Sequence, residues 1–234
     1  MPRPVKPVWR YLPKGLTIIH EDRDILVVDK PAGLLTIGTD KEKERTAYYA
    51  LTNYVRKGDA KSRKRLFIVH RLDREASGIL VFAKTEEAKR ALQDNWDEAN
   101  KKYLAIVHGA PEKPTDTIAS YLTENKALRV YSTTDKQKGK LSKTLYKVLK
   151  QTPHLSLLEV TLLTGRKHQI RVHLAESGFP IVGDRKYSKI KSAYKRLALH
   201  AWTISFAHPF SGKPCEFQTE VPSYFRRLVN WPEE

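Results

Sequence analysis

Short apolar runs separated by charged turns set the pattern of this chain. Leu16-Thr17-Ile18-Ile19-His20 and Ile25-Leu26-Val27-Val28, joined by Glu21-Asp22-Arg23-Asp24, predict a hairpin of two strands. Lys30-Pro31-Ala32-Gly33-Leu34 follows as a turn, with Pro and Gly as breakers. Thr46 is placed to cap a helix whose apolar face is Ala47, Ala50, Leu51, Tyr54 and Val55, and Gly58 ends it. Phe67-Ile68-Val69 and Ile79-Leu80-Val81-Phe82 predict two short buried strands on either side of a charged loop. Thr85, followed by Glu86 and Glu87 near the positive end of a helix, opens a second helix that turns Ala88, Leu92 and Trp96 inward.

From Lys101 to Gly109 the chain alternates as a strand, with Tyr103, Ala105 and Val107 on one face. Residues 110–140 are polar and turn-rich, with short strand candidates at 117–121 and 127–131. Better strands span Ser142–Leu149, Leu155–Leu163 and Leu199–Ala207, and a further one spans Glu216–Glu220. Helices are expected over 167–176, ending near Gly178, and after Pro222. There is no internal repeat and no break in composition. The expected organisation is therefore a basic, Pro-rich arm over 1–15 and a single domain over 16–234.

Charge narrows the function. Lys and Arg outnumber Asp and Glu 43 to 26 in 234 residues, a formal net charge of +17. A field of that sign draws in polyanions, and nucleic acid held through its phosphates is the expected partner. No apolar run approaches the ~18 residues of a membrane-spanning helix, and no helix pairs a basic face with a wide apolar one, so no membrane partner is expected. The charged N-terminus lacks the apolar segment of a secretory signal. The single Cys215 cannot form an internal disulfide and no Cys/His cluster suggests zinc, which fits a reducing, cytoplasmic setting.

Two charged constellations stand out. His70-Arg71-Leu72-Asp73-Arg74-Glu75-Ala76-Ser77-Gly78 lies between the two short apolar runs. Burying an unpaired charge is costly, so Asp73 is either the acid of a structural Arg–Asp pair or a group used in chemistry. With Arg on both sides it stays ionised, which suits nucleophilic or electrostatic work. The second constellation, Leu163-Thr164-Gly165-Arg166-Lys167-His168-Gln169-Ile170-Arg171-Val172-His173, follows a strand. Its cations at a strand-to-helix turn suit an anion. His168 and His173 lie about 140° apart around a helix and do not share a metal. Arg171, next to the inward Ile170, is expected to need an anion beside it. Asp184, in Gly178-Phe179-Pro180-Ile181-Val182-Gly183-Asp184, reads as a turn former.

His70-Arg71-Leu72-Asp73 with Ser77-Gly78 resembles the signature of the RluA-type pseudouridine synthases. Leu26 to Leu34, Lys102 to Gly109, Thr164 to His173, Gly178 to Asp184 with Tyr187, and Leu199-His200-Ala201 agree with the same family in order, so the resemblance covers roughly residues 17 to 220. It implies isomerisation of uridine to pseudouridine within rRNA or tRNA, with no metal and no organic cofactor. It implies an α+β fold: a mixed, largely antiparallel central sheet with flanking helices around a central RNA-binding cleft. By resemblance Asp73 is the essential nucleophile or electrostatic catalyst. Tyr103 stacks on the base and removes the C5 proton, and Arg171 pairs with Asp73. Arg71 helps to flip the target base, and His70, Arg166, His168 and Leu199 are expected to face the substrate. Ala76 stands where the family usually has Thr, and Gly33 to Gly38 lacks a Pro common there. The short arm leaves no room for an N-terminal S4-type domain, so the basic runs at 61–65, 136–143 and 185–196 are expected to contact RNA. A monomer without an obligatory protein partner is expected. Rival functions are a catalytically silent RNA-binding protein and a metal-dependent nuclease using Asp73, His70 and Asp184.

Overall fold

The structure is a computed structural model and describes residues 12–38, 42–190 and 193–231. Most of the expected N-terminal arm, residues 1–11, lies outside the described residues. The chain forms two compact units, one built from residues up to Trp96 with Ala207–Cys215, the other from Asp97–Phe206 with the segment after Cys215.

In the first unit the predicted hairpin is β1 (Thr17–Glu21) and β2 (Ile25–Lys30), with a bulge between Ile18 and His20. Asp22 shapes its turn by accepting the N–H groups of Asp24 and Ile25 at 2.8 Å each. Helix α1 (Ala47–Val55) starts at Thr46, whose hydroxyl accepts the Tyr49 N–H, and buries Ala47, Ala50 and Leu51. Strand β3 is only Phe67–Ile68 and pairs with the far end of β4 (Ser77–Ala83). β4 also pairs antiparallel with β2, from Ile25↔Ala83 to Lys30↔Gly78, and Ile25–Val28 and Ile79–Ala83 form the core of the unit. Helix α2 (Glu86–Asp94) is capped by Thr85, which accepts the Ala88 N–H, and it buries Ala88 and Leu92. Trp96 departs from its expected helical place. The helix stops at Asp94, and Trp96 sits beyond it with its ring 4.7 Å from that of His70.

The second unit is built on antiparallel strands, several of them long. They are β5 (Asn100–His108), β6 (Thr115–Glu124), β7 (Val130–Thr133), β8 (Lys140–Gln151) and β9 (Leu155–Leu162). After helix α3 (Gln169–Glu176) come β10 (Leu199–Ala207), β11 (Pro214–Gln218) and helix α4 (Ser223–Val229). The spatial order is β10-β5-β9-β8-β6-β7. β7 begins later than its pattern predicts because Asn125–Arg129 closes a turn, in which Leu128 takes a positive φ of 57°. α3 likewise begins at Gln169 rather than 167, since His168 occupies the left-handed region. Gly183 is required where it is: its φ is +75°, and a Cβ there would lie 2.1 Å from the Arg196 carbonyl oxygen.

Two buried imidazoles lock this unit. His173 on α3 bonds Thr144 on β8 at 2.8 Å and Ser120 on β6 at 3.0 Å, while His200 on β10 bonds Thr219 at 2.8 Å. Burial pushes both rings down to about 4. Each is neutral in the fold, whereas the same ring in the unfolded chain protonates near 6.5. The unfolded state therefore binds more protons over that range, and stability is lost as pH falls from 6.5 to 4, by about 3 kcal/mol for each ring. Urea denaturation at pH 7, 5.5 and 4 is expected to follow this course, and the loss should be smaller in His173→Gln. Equal acid sensitivity in the two proteins would rule His173 out as its source.

Candidate active site

The Asp73 loop is held from beneath by the turn that follows β2. Lys30, 0% exposed, reaches under it, and its Nζ donates to the carbonyls of Ala76 (2.6 Å), Leu34 (2.8 Å), Pro31 (3.1 Å) and Arg74 (3.4 Å). The Thr36 hydroxyl brackets Leu72 on both sides, donating to its carbonyl at 2.9 Å and accepting its N–H at 3.2 Å. Gly33, at φ +91°, donates its N–H to the Arg74 carbonyl at 2.7 Å, and Arg74 Nε returns a bond to the Gly33 carbonyl at 3.2 Å. Burial pushes the Lys30 ammonium down to about 8, opposed by the charges of Asp73, Glu75 and Asp29. A buried cation is thus ringed by carbonyl oxygens, two of them from the loop that bears the candidate catalytic carboxylate. The loop has little freedom to move.

On this loop Asp73 is half-buried, Arg71 is exposed and Leu72 is buried. His70 faces inward: its Nε2 accepts the Val81 N–H of β4 at 3.0 Å, and its ring packs on Trp96. Structure therefore gives His70 a part in anchoring the loop. Ala76 is buried and is tied through its main-chain carbonyl to Lys30.

In the second unit Tyr103 lies half-buried on the central strand β5, opposite Val160 of β9 and the small Ala201 of β10. Leu199, opposite Ala105, is buried on the same sheet face. The turn before α3 is organised by Gln169. Its Oε1 accepts the Arg166 N–H (3.1 Å) and the Thr164 hydroxyl (2.9 Å), and its Nε2 donates to the Lys143 carbonyl and the Thr144 hydroxyl. Arg166 is left exposed, while His168 is half-buried with Nδ1 2.7 Å from the Tyr187 hydroxyl.

Arg171, 4% exposed, has the anion that its burial demands: Asp184, also 4% exposed. Nε and Nη2 donate to the two Asp184 oxygens at 2.8 and 2.9 Å, a bidentate pair. Burial alone would raise the Asp184 carboxyl. The Arg171 hydrogen bonds and charge, with the N–H groups of Lys186 and Tyr187, instead bring it below the usual carboxylate range. The Arg171 guanidinium also lies 5.3 Å from the Tyr187 ring centre. Asp184 is thus both a turn former and the partner of Arg171. The sequence signal was available, because a buried Arg had to have an acid and the turn supplied one.

Only one group of potential metal ligands occurs among the described residues: Asp22, Asp24 and His208, with ligand atoms within 4.8 Å of one another. His208 Nδ1 faces the N–H groups of Phe210 (3.4 Å) and Ser211 (3.3 Å), so it accepts, and the ring proton sits on Nε2, 3.2 Å from Asp22. A metal-bound imidazole has the opposite arrangement, with its second nitrogen donating. The group is a hydrogen-bonded clasp between the β1–β2 turn and the 207–215 segment. Burial would raise the Asp22 carboxyl, but bonds from His20, the N–H groups of Ile25 and Asp24, and His208 hold it down to about 2.

With this geometry in view, the similarity to known proteins is specific. A family profile described as RNA pseudouridylate synthase matches residues 24–176. The chain is 33% identical to the ribosomal large subunit pseudouridine synthase D of Zymomonas mobilis, over 97% of this chain and 75% of that one. It is 35% identical to ribosomal large subunit pseudouridine synthase C of Rickettsia bellii (90% and 70%) and 36% identical to an uncharacterized RNA pseudouridine synthase of Aquifex aeolicus (94% and 73%). Human RNA pseudouridylate synthase domain containing 4 has the same fold, with a TM-score of 0.75 over 92% of each chain at 23% identity. Fold and matched sequence define an α+β RNA-modifying isomerase. The chain belongs to the RNA pseudouridylate synthase family, in its RluA-type branch, whose members convert uridine to pseudouridine in RNA.

Two substitutions probe the supports of these residues. Lys30→Met leaves the Ala76 and Leu34 carbonyls without their donor and should cost about 2–4 kcal/mol in urea denaturation. Asp184→Asn takes the charge from the buried Arg171 pair and should cost about 3–5 kcal/mol. A loss below about 1 kcal/mol in either protein would show that the corresponding buried cation does not depend on these contacts.

Proposed function

We propose that this protein isomerises particular uridines of structured RNA, with ribosomal RNA as the first substrate to test. The relatives named for the ribosomal large subunit support that choice. Transfer RNA is the second. In this reading the N1–C1′ bond of the uridine breaks, the freed base turns, and C5 bonds to C1′ in its place, with the C5 proton leaving last. Asp73 carries the reaction as nucleophile or as a negative charge opposite the developing positive charge on the sugar. Tyr103 lies under the base and takes the C5 proton, and Arg71 fills the stack that the flipped base leaves. Arg171, held by Asp184 through Nε and Nη2, offers its remaining N–H groups to Asp73. Arg166 and His168 bind the RNA nearby.

The observation that carries this reading is the construction beneath Asp73. An invariantly placed carboxylate is what a covalent or electrostatic catalyst needs, since misplacement by about 1 Å can cost 10²-fold in rate. The carbonyl cage of Lys30 and the Thr36 bracket on Leu72 hold the backbone on either side of Asp73, which supports this reading. Nothing comparable is required of an acid that merely closes a surface turn.

Tritium release from RNA labelled at uridine C5 tests the proposal, because C5 loses its hydrogen only once the new bond forms. Wild type is expected to release tritium. Asp73→Ala should fall to background with RNA binding retained, and Tyr103→Phe should slow release by about 10²–10⁴-fold, the range of an acid–base group. Release by Asp73→Ala at the wild-type rate would overturn the assignment. RNA binding without release from any cellular RNA pool would favour a silent RNA-binding protein.

A further inference from the structure

The first unit has a basic cavity at the end of its sheet opposite the Asp73 loop. It measures about 570 Å³ and is lined by Arg23, Lys57, Lys64, Arg65 and Lys84 against one acid, Glu21, with the Tyr54 ring in the wall. Glu21 is already engaged, accepting from Lys84 and from the Tyr54 hydroxyl at 2.8 Å each. Arg65 is positioned 4.7 Å over the Phe67 ring and lies 3.9 Å from Glu86. Arg23, Lys57 and Lys64 have no ion pair among the described residues. Three cations thus converge on one concavity whose single acid, Glu21, is already paired with Lys84.

The loop carrying Lys57 and Lys64 is built, and Arg23 lines the cavity from the β1–β2 turn. Arg56 Nε donates to the Lys64 carbonyl at 2.9 Å, closing the 56–64 loop. Asp59 accepts the Lys61 N–H at 2.9 Å. Lys57 takes a left-handed φ of 53°, uncommon for a residue with a Cβ, and its N–H bonds the Tyr54 carbonyl at 2.9 Å. Like charges held together this way repel and lower stability unless an anion joins them.

We propose that this cavity is a second phosphate-binding site for the RNA substrate, gripping a backbone segment separate from the one that delivers the target uridine. The inference rests on the RNA-isomerase reading for the identity of its partner. β4 fixes the geometry, since Gly78 lies at the Asp73 end and Ala83 at the cavity end, paired with Lys30 and Ile25 respectively. At about 3.3 Å per residue the two ends stand roughly 17 Å apart. The site therefore selects for RNA whose backbone reaches across that span, which a folded RNA does and a uridine trinucleotide does not. It gives the Lys61–Arg65 run a function away from the catalytic loop beside which it falls in sequence.

The test uses the full chain with Arg23→Gln, Lys57→Gln and Lys64→Gln combined. A control of equal charge carries Lys113→Gln, Lys126→Gln and Lys147→Gln in the other unit. On a folded rRNA domain the first protein should bind at least tenfold more weakly at low salt, and its slope of log K against log salt should fall by about 2–3. The control should keep most of both. A uridine trinucleotide should bind wild type and cavity variant alike. Equal losses in variant and control, or losses of the same size on the trinucleotide, would overturn the proposal in favour of diffuse charge. Thermal melting confirms that both variants fold. Binding needs no turnover, so a wild type that releases no tritium would defeat the isomerase reading and leave the second site to be judged on its own data.

Discussion

The ammonium of Lys30 is the interaction on which the candidate active site depends. A fully buried cation is costly unless strong acceptors surround it. Here the acceptors are main-chain carbonyls of two segments, the turn after β2 and the loop that bears Asp73. The cation therefore joins two pieces of chain that are distant in sequence, and it does so through backbone atoms. Side chains on the loop are spared for other work. Thr36 repeats the arrangement on a smaller scale, binding Leu72 through both of its main-chain polar groups.

The second unit solves a related problem differently. Arg171 is buried on α3, and the Asp184 turn is brought to it by a segment threaded between neighbouring strands: Val182 donates to the Ile106 carbonyl and accepts from Ala198. The absence of a Cβ at Gly183 lets that thread pass the Arg196 carbonyl. Gln169, His173 and Tyr187 then tie α3 to β8, β6 and β7 through hydrogen bonds whose every end is occupied by protein. Arg171 is thus oriented by a rigid surrounding rather than by its own rotamer preference, which suits a group that must present charge in one direction.

Much of the fold was legible in the sequence, because it rests on local signals. Thr46 and Thr85 cap the helices their positions predict, and the alternation at 101–109 and the apolar runs at 25–28 and 79–82 become strands. What sequence reading missed is of another kind. Trp96 kept helical spacing after the helix had ended, since spacing does not report where the last backbone bond forms. The pairing of Arg171 with Asp184 and the caging of Lys30 join residues 13 and 46 positions apart, and no periodicity carries that information. The residues of the candidate site were recognisable by motif. Those that hold them in place, Thr36, Gln169 and Asp184, were recognisable only by asking what each buried charge or main-chain group must bind.

The register of β2 with β4 also makes the first unit a ruler. The strand pair sets the span between its ends in increments of one residue, about 3.3 Å. A single inserted residue would turn every later side chain to the opposite face, so the ruler can lengthen or shorten only two residues at a time. Any change in the reach of this unit during divergence would therefore have to come in jumps of about 7 Å. Gradual adjustment is left to the loops at either end.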